Sequence, residues 1–218
     1  MKRFACNAAV CLVATIGFGA ATAQAQVLPA DESKLNVEFN FGPTLGHKSD
    51  KFFGVEGGWR LTKDLDIYAE VTHMGNVGTS DLDERAASIA DFLGGTASTA
   101  YVVNAFDIGV KYNFIVSPRI HPYALAGFGM AHVRTEVEFA VNGTVIDPGA
   151  NVQLGSDLSD STNRGLFVIG FGVKIPFKER FFGDVGYRFG EIFSKSTDTE
   201  PLPSIPTQRI VLGVGMRF

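Results

Sequence analysis

From residue 35 onward, apolar and polar side chains alternate with a period of two in eight stretches. This is the pattern of strands whose two faces meet different surroundings. The first runs from Leu35 to about Gly46, with Leu35, Val37, Phe39 and Phe41 against Asn36, Glu38 and Asn40. Phe52–Leu61 sets Phe53, Val55, Trp59 and Leu61 against Glu56, Gly58 and Arg60, and Leu65–Met74 sets Leu65, Ile67, Ala69 and Val71 against Asp66, Tyr68, Glu70 and Thr72. Ala100–Phe114 carries Val102, Phe106, Ile108, Val110, Tyr112 and Phe114 opposite Asp107, Gly109, Lys111 and Asn113. In Pro122–Phe139 the pattern predicts an apolar face of Tyr123, Leu125, Val133, Val137 and Phe139 against Ala124, Ala126, His132, Arg134, Glu136 and Glu138. Gly165–Phe177 sets Phe167, Ile169, Phe171, Val173, Ile175 and Phe177 against Gly170, Gly172 and Lys174. Phe182–Phe193 and Arg209–Phe218 complete the set, the last with Ile210, Leu212, Val214, Met216 and Phe218 on one face and Arg209, Gly213, Gly215 and Arg217 on the other.

Each stretch is about as long as the ~9–11 residues that a tilted membrane strand needs. The connections alternate between short turns (62–64, 115–119, 178–180) and mostly longer polar loops (47–51, 75–99, 140–164, 194–208). Short periplasmic turns and long extracellular loops distinguish transmembrane barrels. The predicted fold is all-β: an eight-stranded antiparallel up-and-down transmembrane β-barrel over residues 35–218. Asp81–Phe92 is expected to form one or two helical turns within the second long loop.

The chain before residue 35 reads differently. Lys2 and Arg3 precede an apolar run from Ala8 to Ala21, and Ala23-Gln24-Ala25 then offers a small-x-small cleavage site. That run is short of the ~20 residues of a spanning helix. Residues 1–25 are therefore expected to be a signal peptide and 26–34 a short periplasmic leader. Cleavage removes Cys6 and Cys11, and with them every thiol, and takes the net charge from −4 to −6 by removing Lys2 and Arg3. A mildly acidic chain without a basic block is not expected to bind nucleic acid. Hydrophobic residues make up 45% of the chain, including 19 Phe. With no second apolar run long enough for a helix, that composition needs an exterior in lipid. A soluble ligand-enclosing barrel would instead turn its apolar face inward. Aromatic residues near strand ends (Tyr112, Phe114, Tyr123, Phe177, Phe181, Phe182 and Phe218) fit an interfacial girdle.

The segment Ile210-Val211-Leu212-Gly213-Val214-Gly215-Met216-Arg217-Phe218 resembles the C-terminal signal of bacterial outer-membrane proteins. Pro122–Gly129 and Gly183–Phe189 are similar to strands of the small outer-membrane barrel family that includes the OmpA transmembrane domain, OmpX and the opacity proteins. The resemblance implies that the barrel-assembly machinery reads Leu212, Val214, Met216 and Phe218. It also implies an outer-membrane location, amid outer-membrane lipid and lipopolysaccharide.

The chemistry expected inside the barrel is a charge network of Glu56, Arg60, Glu70, Asp107, Lys111, Arg134, Glu136, Lys174, Asp184, Arg188 and Arg217. An eight-stranded lumen is just wide enough for side chains to fill. Buried charges there must pair, which favours a static plug over a gated pore. Inward glycines are expected to leave room for the long cations. His47, His73, His121 and His132 lack both the Ser–His–carboxylate arrangement of an acyl-transfer site and zinc-ligand spacing. Gly42–Ser49 lacks the spacing and the following helix of a P-loop. Asn142-Gly143-Thr144 matches a glycosylation sequon, and Asp81–Glu84 and Asp157–Asp160 read as acidic loop clusters. No cofactor, metal or catalytic residue is predicted. The expectation is a monomeric, non-enzymatic outer-membrane barrel serving envelope integrity or surface interaction, with an extracellular ligand reaching loops 75–99 and 140–163. A narrow solute channel and a lipid-modifying enzyme are the alternatives.

Overall fold

A computed structural model describes residues 34–114, 119–146, 161–178, 180–196 and 201–218. The expected signal segment, the leader up to residue 33, part of the 115–119 turn and the acidic cluster at 157–160 lie outside the described residues. The elements are β1 (Leu35–Leu45), β2 (Lys51–Arg60), β3 (Leu65–Met74), α1 (Ser80–Leu93), β4 (Thr96–Asn113), β5 (His121–Val141), β6 (Thr144–Ile146), β7 (Ser161–Pro176), β8 (Phe181–Ile192), β9 (Lys195–Ser196), β10 (Pro201–Leu202) and β11 (Ile205–Arg217). Eight of them (β1, β2, β3, β4, β5, β7, β8 and β11) pair antiparallel with their neighbours in chain order, and β11 pairs with β1. The sheet closes, so its interior strands leave no edge to be satisfied in lipid. The Phe218 N–H donates to Leu35 O at 2.8 Å, placing both ends of the barrel chain at one rim, called here the near rim.

The alternation reads directly as inside and outside. Along β3 the pattern of exposed and buried side chains keeps Asp66, Tyr68, Glu70, Thr72 and Met74 inside. Outward positions carry Phe106, Ile108, Val110, Phe171, Val185 and Val214, all exposed although apolar. Near the near rim, Trp59, Tyr112, Phe114, Phe177, Phe181 and Phe218 face outward as a girdle. Tyr123 and Phe182, expected in that girdle, turn inward and are buried.

The largest correction is the phase of β5. Tyr123, Leu125, Val133 and Phe139 are buried inside, Val137 packs on the same inner side, and Ala124, Phe128, Met130, His132, Arg134 and Glu136 face out. Arg134 and Glu136 are therefore not luminal; they pair with each other on the exterior at 3.3 Å, with side chains 66% and 46% exposed. The sequence reading grouped five large residues as an outer face. Lumen filling decides otherwise, because Gly172 and Gly186 leave the space that the Tyr123 hydroxyl occupies.

β4 and β5 are the longest strands, 18 and 21 residues. Beyond the pairs Met74↔Val103 and Arg134↔Ser161 they continue paired with each other as a hairpin as far as Thr96↔Ala140. The expected long loops are thus partly strand. β6 extends the hairpin through the tight turn at Asn142 and Gly143, whose φ values of 50° and 78° suit Asn-Gly.

Candidate functional site

The lumen is filled in two layers. In the layer nearer the near rim, register places Glu38 opposite Glu56, Glu56 opposite Glu70, and Glu70 opposite Asp107. Four buried carboxylates therefore form one row across β1–β4. Like charges directly opposite destabilise a sheet unless countered. The counter-charges come mostly from across the lumen. Arg188 Nη2 lies 2.7 Å from Glu56 Oε2 and Nη1 lies 2.5 Å from Glu70 Oε2. Arg209 Nη2 donates to Glu70 at 2.7 Å and Nη1 to Thr72 Oγ1 at 2.8 Å. Lys111 donates to Glu56, and Lys174 lies 3.6 Å from Glu38. The Tyr123 hydroxyl lies 3.0 and 2.8 Å from the two oxygens of Asp184.

Aromatic rings complete the layer. Lys111 Nζ lies 4.7 Å from the Tyr123 ring centre and Lys174 Nζ lies 4.8 Å from that of Phe182, both within cation–π range. A Cβ on Gly213 would fall 2.5 Å from Glu38 Oε1, and one on Gly215 would fall 2.2 Å from the Phe182 ring. These glycines make room for carboxylates and rings more than for the cations expected from sequence. Arg60 and Arg217 sit only partly buried at the near rim, Arg60 Nε 3.8 Å from Asp66 and Arg217 over the Phe182 ring at 5.5 Å.

The second layer, toward the far rim, is mainly apolar, with buried Thr44, Arg164 and Thr207 among its side chains. Phe52, Met74, Tyr101, Val103, Ala131, Val133, Leu166, Val168, Ile192 and Ile205 form one buried cluster. Above it lies α1. Its length of 14 residues exceeds the one or two turns expected. Asp81 and Asp83 in its first turn complement the helix dipole, and Gly94 ends it in the left-handed conformation with φ 68°. Leu82, Ala86 and Ala90, spaced four apart, form its buried stripe, and Leu82 joins the luminal cluster together with Val77.

A polar staple holds α1 down. Asp83 accepts from Lys48 Nζ at 2.7 Å, faces His47 Nε2 at 2.8 Å and accepts from the Thr99 hydroxyl. Lys48 also donates to Thr99 O at 2.9 Å. Asn76 substitutes for the missing neighbour of β4: its Oδ1 accepts from Gly78 N at 2.8 Å and Tyr101 N at 3.2 Å. Burial would raise the Asp83 carboxyl, but hydrogen bonds from Lys48, Thr99 and His47 outweigh it and hold the group below its ordinary 3.8. A depressed folded pKa means the staple is fully present above 3.8 and is lost as pH falls below it. Asp83→Ala is expected to speed amide exchange across α1 roughly tenfold, from about 1–2 kcal/mol of partly exposed pairs and hydrogen bonds. Exchange in β1–β3 should not change, and uniform acceleration in all strands would contradict the local staple.

The sequence-predicted set thus divides. Glu56, Glu70, Asp107, Lys111, Lys174, Asp184 and Arg188 come together in the lumen. Glu38 and Arg209 belong with them; both stood on inward faces in the alternation, and only their partners were unreadable. Leu212 and Val214 face outward with Phe218. His73 and His132 lie on the outer surface, bonded to Asn104 and Asn163 at 2.8 Å each. The hydrogen-bond partners of His47, His73 and His132 are thus Asp83, Asn104 and Asn163, not serine.

A sequence profile of the outer membrane protein beta-barrel domain matches residues 11–218. The chain belongs to this family. Among solved structures, Neisserial surface protein A shares the fold, and other outer-membrane barrels are similar at lower scores. Neisserial surface protein A is 14% identical with a TM-score of 0.51, covering 84% of this chain and 96% of that one. The N-terminal β-barrel domain of Pseudomonas aeruginosa OprF is 16% identical, with a TM-score of 0.48 and coverages of 86% and 100%. Ail, the attachment invasion locus protein of Yersinia pestis, is 14% identical, with a TM-score of 0.45 and coverages of 85% and 97%. A search of curated protein sequences finds no match. Membership of the outer-membrane barrel family assigns the exposed apolar exterior to lipid.

Proposed function

We propose that this protein is a non-conducting, non-enzymatic outer-membrane barrel that presents its far-rim elements at the cell surface. The reading rests on one observation: two successive luminal layers, one ion-paired and one mainly apolar, are filled by buried side chains, with α1 stapled above them. A water path would have to break the acid–cation network and then wet a mainly apolar constriction. The chain invests instead in the β4–β5 hairpin and α1, which offer area for surface interaction, while the closed wall suits envelope integrity. On this reading residues 1–25 direct export, and the outward face of Leu212, Val214, Met216 and Phe218 is what the assembly machinery meets.

The test is single-channel recording in a planar bilayer. The wild-type protein is expected to give no steps, and Lys111→Ala/Arg188→Ala is expected to stay silent because the apolar layer remains. Ohmic wild-type openings that this double substitution abolishes would establish a channel instead.

A further inference from the structure

His73, Asn104, His132 and Asn163 fall in one row on the outer surface. The register pairs His73 with Asn104, Asn104 with His132, and His132 with Asn163, across the adjacent strands β3, β4, β5 and β7. All four side chains are exposed. Each imidazole uses Nδ1 toward an asparagine Oδ1 at 2.8 Å. An amide oxygen only accepts, so Nδ1 carries the proton in both rings. The Nε2 atoms and the asparagine amide groups are then turned toward the surroundings.

The row marks a boundary. Below it on the same strands the outward residues are Val71, Phe106, Met130, Phe128 and Phe167, with the Phe128 and Phe167 rings 4.9 Å apart. Above it stands Arg134, two residues beyond His132 on the same face of β5. Ten residues separate Asn104 from the girdle at Phe114, about 34 Å along a strand. At a tilt of about 35–45° that is roughly 24–28 Å of height, against an apolar band of about 25 Å. Asn104 therefore lies where hydrocarbon gives way to headgroups, and the other three residues, one or two strands away, lie within about 3–7 Å of that height.

We propose that the His73–Asn104–His132–Asn163 row, with Arg134 above it, binds the net-anionic phosphorylated headgroup of a membrane lipid, in preference to a zwitterionic one. Its amide donors match phosphate oxygens, as does the Arg134 guanidinium, which faces Glu136 through Nε at 3.3 Å and has five N–H donors in all, and the aromatic wall beneath accepts the acyl chains. Free phosphate shares the headgroup chemistry but would gain nothing from that wall, which is why a lipid is the occupant.

The full-length protein, folded in nanodiscs of phosphatidylcholine with or without lipid A, is exchanged into detergent, and retained lipid is counted by native mass spectrometry. Wild type is expected to retain lipid A in preference to phosphatidylcholine. His73→Ala/Asn104→Ala/His132→Ala/Asn163→Ala should lower that retention on the order of tenfold, about one charge-assisted hydrogen bond, and Arg134→Ala should lower it less. Folding is checked by heat-modifiable gel mobility; if the quadruple variant fails to fold, Asn104→Ala/Asn163→Ala takes its place. Equal retention by the folded variant and wild type overturns the proposal. Displacement of lipid A by millimolar inorganic phosphate makes the row a free-anion site and also overturns it. So does a variant that changes oligomeric state with lipid retention intact, which would make the row a contact between copies.

Discussion

Arg188→Ala is expected to destabilise the barrel by about 3–5 kcal/mol, the range for removing one member of a buried ion-pair network. Arg188 is 1% exposed and spans two of the four carboxylates in the luminal row. Without it Glu56 keeps Lys111 and Glu70 keeps Arg209. Neither remaining cation bridges the two acids, which sit directly opposite each other on β2 and β3. Equilibrium unfolding in urea with lipid vesicles measures the loss. Removing one acid together with the cation, in Glu56→Gln/Arg188→Met, should recover part of it, because Glu70 keeps Arg209, the two acids no longer face each other, and a buried ion pair replaced by neutral groups of similar volume is often close to neutral. A single variant within about 1 kcal/mol of wild type would show that the row does not depend on this bridge.

The second large effect lies on the opposite side of the wall. Phe128→Arg is expected to cost about 2–4 kcal/mol in a bilayer, the range for a cation on the lipid face near the midplane. Phe128 is 62% exposed, outward, and about halfway along the lipid-facing part of β5. Arg134→Ala, on the same face but beyond the apolar band, should change stability by less than about 0.5 kcal/mol. The pair of measurements tests the phase of β5. If Phe128 pointed into the lumen and Arg134 belonged to the charge network, the ranking would reverse.

β5 shows why part of the site was illegible in sequence. In β3 and β8 one face is charged and the other apolar, so alternation alone separates lumen from lipid. In β5 both faces are mixed: Tyr123, Leu125 and Val133 alternate with Ala124, Phe128 and Met130. Hydrophobicity cannot choose between them there, because an apolar layer inside the lumen looks in sequence like an apolar layer outside it. The decision comes from volume, since the Tyr123 hydroxyl fills space that glycines on β7 and β8 leave open. The short helix expected in the second loop had a comparable fate. Its 14-residue length depends on β4 and β5, which give Leu82, Ala86 and Ala90 something to bury against.

The sequence by itself determined that eight two-faced strands close into a membrane barrel, because period-two alternation over ~10 residues has few other physical solutions. It also determined that most of the charged faces turn inward, since lipid admits no charge cheaply. Only the tertiary structure decided how those charges meet. Glu38, Glu56, Glu70 and Asp107 lie far apart in the chain, and strand register alone sets them side by side. The same register aligns His73, Asn104, His132 and Asn163 on the outside. A shift of a single residue in register would send each side chain to the other face and dissolve both rows. Register is fixed by how the whole lumen packs and by the turns that join the strands, and no single segment contains that information.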